Sequence, residues 1–219
     1  MPLAGALLRS YKRVKGQKVG AGNLVAAQQR PDGRSRIIAA ARNLFASRGF
    51  HLTAMSELAA EAQVSVGQIY RLFKNKDDII LAIVEDDHRE WMVQMTQVRD
   101  AAVSGRISPA EAFERLILET LSDEYETLTF EILAEAGRSA EVGARIRQFA
   151  GDFRAVLRDL ACRANDRLGE RDLEAVTELL MATLFGLSGR NLGDHHLDRE
   201  ATASEIARLI MAMLKNAES

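Results

Sequence analysis

From residue 32 onward, apolar residues recur at helical rather than strand spacing. Ile37, Ile38, Ala41, Leu44 and Phe45 fall at i, i+1, i+4, i+7 and i+8, one face of a helix that Asp32 caps and Gly49 ends. Thr53 is expected to cap a short second helix with Leu58, Ala59 and Ala62 turned inward. Ser65 and Gln68 have the S-x-x-Q spacing of a capping box, which opens a third helix with Ile69 and Phe73 on its inner face. Asn75 breaks the pattern, and a long helix follows over about 76–103 with Asp77 and Asp78 in its first turn, where negative charge suits the dipole. Ser108-Pro109-Ala110-Glu111 is a complete helix start, and further helices are predicted near 109–122, 124–137, 140–168, 171–190 and 199–216. The last two have one apolar face each, built on Val176, Leu180 and Leu184 and on Ile206, Ile210 and Leu214. Such faces pack either on each other or on a second copy of the chain.

Composition agrees with an all-α fold. Of 219 residues 47% are hydrophobic, enough for a sizeable core, whereas three prolines and 5% aromatics argue against a sandwich or barrel. The lone Cys162 has no intramolecular partner and stands in an apolar-periodic stretch, so it reads as a small core residue of a cytoplasmic protein. No stretch approaches the roughly 18 uninterrupted apolar residues of a membrane span. The apolar patch from Pro2 to Leu8 has no charged region before it, unlike a secretory signal.

Charge changes the picture more. The net charge of −2 hides a division along the chain. Residues 1–76 hold 13 Lys and Arg against three acids, a net +10, and residues 77–219 hold 16 basic and 28 acidic residues, a net −12. A basic first third joined to an acidic remainder implies that the first part meets a polyanion. Three segments follow: a flexible basic arm at 1–31, a helix-turn-helix at 32–76, and a helical ligand-binding and dimerisation domain at 77–219. The arm has six basic residues and no acid, so it either lies along phosphates or is a leader without function.

Three short helices with a tight turn between the second and third are the parts of a helix-turn-helix. The runs Arg48-Gly49-Phe50-His51-Leu52-Thr53, Glu57-Leu58-Ala59, Ala62-Gln63-Val64-Ser65 and Gly67-Gln68-Ile69-Tyr70-Arg71-Leu72-Phe73-Lys74-Asn75-Lys76 resemble the DNA-binding module of the TetR family. The resemblance covers residues 34–80; beyond them it is one of length and helix count. It implies an N-terminal three-helix DNA-binding domain joined to a larger helical domain that binds a small-molecule effector and pairs as a homodimer. It further implies a repressor released from a near-palindromic operator, and DNA contacts by Thr53, Ser65, Val66, Gly67, Gln68, Tyr70, Lys74 and Lys76. Two roles fit Gln68, adenine contact and capping of its own helix. Tyr70 and Lys76 stand where the family binds phosphates. Three positions depart from the pattern: Gln63 replaces the usual turn glycine, Leu72 an aromatic or His, and Ala54 a hydroxyl. They motivate an alternative, a partner- or ligand-binding helical protein with a vestigial DNA module.

Candidate effector-pocket residues are the large or soft side chains of the middle helices, Trp91, Met92, Met95, Phe113, Phe130, Phe149 and Phe153, for which ordinary core packing is the competing reading. Glu131, His88 and its acidic neighbours, and the loop Asp194-His195-His196 read as solvated. No cofactor, metal site or catalytic residue is expected, since the sequence has no P-loop, HExxH, GxSxG or paired Cys.

Overall fold

A computed structural model of the chain describes residues 32–121, 127–188 and 198–217, so the predicted arm at 1–31 and the loop Asp194-His195-His196 lie outside the described residues. Among the described residues the regular structure is nine α-helices: α1 Gly33–Arg48, α2 Met55–Ala62, α3 Val66–Leu72, α4 Lys76–Val103, α5 Pro109–Thr120, α6 Thr127–Arg138, α7 Ala140–Ala164, α8 Glu170–Ser188 and α9 Arg199–Asn216. None is long and apolar enough to cross a membrane.

Local chemistry sets most boundaries. Asp32 Oδ1 accepts from the Ser35 amide at 2.7 Å, and that bond holds its carboxyl below the usual carboxylate range. Gly49, at φ 87, ends α1. Ser65 Oγ accepts from the Gln68 amide at 3.1 Å, Asn75 Oδ1 from the Asp78 amide at 2.8 Å, and Ser108 Oγ from the Glu111 amide at 3.1 Å. The second helix differs from the expectation. Its cap is Ala54, which offers no side-chain acceptor, and only the Glu57 carboxylate reaching back to the Ala54 amide at 2.9 Å secures that end.

The chain divides into two compact units, and the divisions fall within α4 and α7. Among the described residues, one comprises 32–86 and 127–144, the other 87–121, 145–188 and 198–217. In the first, Ile37, Phe45, Leu58, Ile69, Ile79, Ile83 and Ile132 are buried, so α1 to α3, the start of α4 and the late helix α6 share a core. In the second, one cluster takes Trp91 and Met95 from α4, Phe113 and Leu116 from α5, Phe153 and Leu157 from α7, Leu180 and Leu184 from α8, and Ile210 and Leu214 from α9. Arg154 pairs with Glu174 and Glu178, which ties α7 to α8 at the surface. Cys162 is exposed rather than in the core: the apolar period of α7 passes one position aside, where Ala161 is buried.

Candidate nucleic-acid interface

In the unit that holds the helix-turn-helix, α3 buries Ile69 and, just beyond its end, Phe73, and exposes the opposite side. Ser65, Val66, Gly67, Tyr70, Arg71 and Lys74 are all exposed, with Tyr70 at 53% and Val66 at 39%. This leaves an outward face carrying two cations, a phenol and a helix N-terminus, groups that suit phosphates and base edges. The turn before it is tight because Gln63 adopts φ 54, ψ 47, the left-handed conformation. Gln63 is the one non-glycine residue with positive φ among the described residues, and Arg36 donates to its carbonyl at 3.0 Å. So the missing glycine has not changed the turn; a side chain bears it at a cost of roughly 1–2 kcal/mol.

Three of the residues proposed as DNA contacts are engaged inside the unit. Thr53 is buried, and its hydroxyl donates to the Gly49 carbonyl at 2.8 Å. Lys76 Nζ donates to the carbonyls of Phe50 (2.7 Å), His51 (3.1 Å) and Thr53 (3.0 Å), and lies 4.8 Å from the Phe50 ring centre. Its three protons are therefore committed to the 50–53 loop. Gln68 is half-buried, its amide end lying against the backbone of Gly33.

The same loop is held from the other side by α6. Glu131 Oε2 accepts from the Phe50 amide at 2.9 Å. Glu135, its side chain 7% exposed, lies 3.0 Å from His51 Nε2 and 3.7 Å from the Arg138 guanidinium, close enough for attraction although no hydrogen bond to that oxygen is aligned. Sequence reasoning placed Glu131 on a solvated face, since nothing local marks a contact with residue 50.

The exposed side of α3, with Arg71 on it and Lys74 just beyond, is a basic helix-presenting surface, and residues 37–83 match the profile described as bacterial regulatory proteins of the tetR family. That match makes residues 37–83 a TetR-type DNA-binding module, and the chain is similar to DNA-binding transcriptional regulators over most of its length. The HTH-type transcriptional regulator HbdR of Aromatoleum sp. (strain CIB) is similar over 53 residues at 42% identity, covering 24% of this chain and 23% of that one. The transcriptional repressor BepR of Brucella suis is 26% identical over 194 residues, 83% of this chain and 91% of its own length. The solved structure of FadR from Bacillus subtilis in complex with stearoyl-CoA matches with a TM-score of 0.62 at 17% identity, covering 84% of this chain and 99% of that one, a likeness of fold alone. A vestigial module is not the favoured reading for a chain with these relatives.

The proposed pocket residues fall in different places. Trp91, Met95, Phe113 and Phe153 are core members of the second unit, with Met92 packed against them, and the Trp91 and Phe153 rings are 4.4 Å apart. Phe149 is buried beneath His88, ring centres 3.6 Å apart and planes 6° from parallel. Phe130 belongs to the first unit and is 38% exposed. His88 is not on a hydrated face. Its side chain is 11% exposed, Nε2 lies 3.0 Å from Asp152 Oδ2, and Nδ1 is buried with no hydrogen-bond partner. Burial pushes its pKa below the ordinary histidine value, against the raising effect of Asp152. No group of three His, Cys, Asp or Glu among the described residues is placed to hold a metal ion.

Proposed function

We propose that this protein is a homodimeric repressor that occupies a near-palindromic operator and leaves it when a small-molecule effector binds. The observation that carries the reading is the exposed face of α3, with Val66, Gly67, Tyr70 and Arg71 outward, Lys74 exposed just past its end, and Ile69 and the following Phe73 as anchors. Repression is supported by the likeness to BepR, and a small-molecule effector by the stearoyl-CoA that FadR holds. Dimerisation is supported by α8 and α9: Leu179 is 51%, Phe185 39% and Leu209 52% exposed, and Ala175 and Ala182 share the Leu179 face at helical spacing. The operator holds two half-sites about 34–36 Å apart, to match two α3 helices. Lys74, Arg71 and Tyr70 meet phosphates there, and the effector is received near Trp91, Met92, Phe149 and Phe153.

A gel-shift with DNA from around its own gene, repeated at rising salt, tests the proposal. Specific binding with a steep loss of affinity is expected; no specific shift with any neighbouring promoter rejects it. Leu179→Glu combined with Phe185→Glu is expected to give monomers in sedimentation and to abolish the shift. Effector binding reads out in the emission of Trp91, the chain's one tryptophan.

A further inference from the structure

Position 33 is the first residue of α1, and the recognition helix passes directly over it. A Cβ built on Gly33 would lie 2.4 Å from Gln68 Nε2, 3.5 Å from Gln68 Cδ and 3.9 Å from Leu72 Cδ1. Gln68 and Leu72 are one helical turn apart, so both stand on the side of α3 that meets α1. The Gln68 amide occupies the space that any other residue at 33 would fill. Gln68 also meets Ser65 through its backbone amide, at 3.1 Å, so the cap does not draw on its side chain.

Gln68 is the one side chain of α3 with the paired donor and acceptor that match the adenine edge. An amide lying on Gly33 is turned toward α1. At the neighbouring Gly67 there is no such contact: a Cβ there would meet nothing nearer than Ser65 Oγ at 4.0 Å.

We propose that Gly33 is a specificity-determining position, which seats the Gln68 amide against α1 and so withholds the adenine reader of α3 from the base edges. The inference rests on α3 entering the groove. A side chain at 33 evicts the flexible amide end without moving backbone, and the evicted amide turns outward to read adenine. Gly33 has no left-handed φ to lose, since among the described residues only Gly49 and Gly105 are glycines with positive φ. Alanine also favours the helix there.

Selection of bound duplexes from a randomised pool, with the full-length protein at fixed salt, tests this in four forms: wild type, Gln68→Ala, Gly33→Ala and the double variant. Wild type and Gln68→Ala are expected to enrich the same sites with affinities within about two-fold. Gly33→Ala is expected to gain an adenine preference of roughly 5- to 150-fold at one position of each half-site, the range of a bidentate contact, and the double variant to lose it. Relaxed preference in Gln68→Ala alone would overturn the seat, as would a Gly33→Ala pool indistinguishable from that of the double variant. If Gly33→Ala fails to fold, the Gln68→Ala comparison still decides. Absence of any duplex binding by wild type is a different failure, that of groove entry itself.

Discussion

The Glu131 carboxylate accepts a hydrogen bond from the Phe50 amide at 2.9 Å, across 81 residues of chain. It joins α6 to the loop between the first two helices of the DNA-binding unit. A half-buried amide on a charged acceptor is worth about 1.5–3 kcal/mol. Glu131→Ala should therefore lower the urea stability of the protein by roughly 1–2 kcal/mol and speed exchange of the Phe50 amide proton. Unchanged exchange at Phe50 would show that the bond does not form in solution.

Lys76 supports the same loop through the carbonyls of residues 50, 51 and 53. Removing three such bonds in Lys76→Ala should cost about 2 kcal/mol of stability. The dependence of DNA affinity on salt separates this role from phosphate binding. A lost phosphate contact reduces the slope of log K on log salt by about 1, whereas a lysine turned inward leaves the slope unchanged. Tyr70→Phe, at an exposed side chain, should weaken DNA binding without lowering the melting temperature.

Gln63 keeps a left-handed backbone that glycine adopts freely. Gln63→Gly should gain about 1 kcal/mol and raise the melting temperature by roughly 2–4 °C for a chain of this size. A lower melting temperature would mean that the Gln63 side chain contributes more than its backbone costs.

His88 gives a pH signature with a definite sign. Its folded pKa lies below the unfolded value near 6.5 because burial disfavours the cation. The unfolded chain therefore binds the proton more readily, and the protein loses stability as pH falls below about 6.5 toward the folded pKa. Asp32, Glu178 and Glu205 have depressed pKa values, each set first by a hydrogen bond, and act only at lower pH, in the carboxylate range. Melting followed from pH 7.5 to 5 should decline in wild type and stay flatter in His88→Gln. Equal slopes would remove His88 as the cause.

Much of this fold was legible in order along the chain. Asp32, Ser65 and Ser108 are caps, Gly49 is a stop, and 76–103, 109–120 and 199–216 follow the apolar period closely, because these signals act within a turn of the residues that carry them. Thr53 misled, since its hydroxyl serves the end of the preceding helix rather than the start of the next. What could not be read were the choices side chains make among distant partners. Lys76 faces three carbonyls, Gln68 a glycine 35 positions earlier, and His88 a phenylalanine and an aspartate of α7. Nothing in their local spacing encodes those neighbours.

Because residues 127–144 belong to the same compact unit as the helix-turn-helix, the DNA-binding part is not finished when its last obvious motif residue has been made. At synthesis rates of about 5–20 residues per second, the ribosome works for several seconds between releasing Lys76 and releasing α6. A nascent chain in that interval has its recognition helix but neither Glu131 nor Glu135 to brace the loop behind it. Expression fragments cut after residue 86 carry the same deficit permanently.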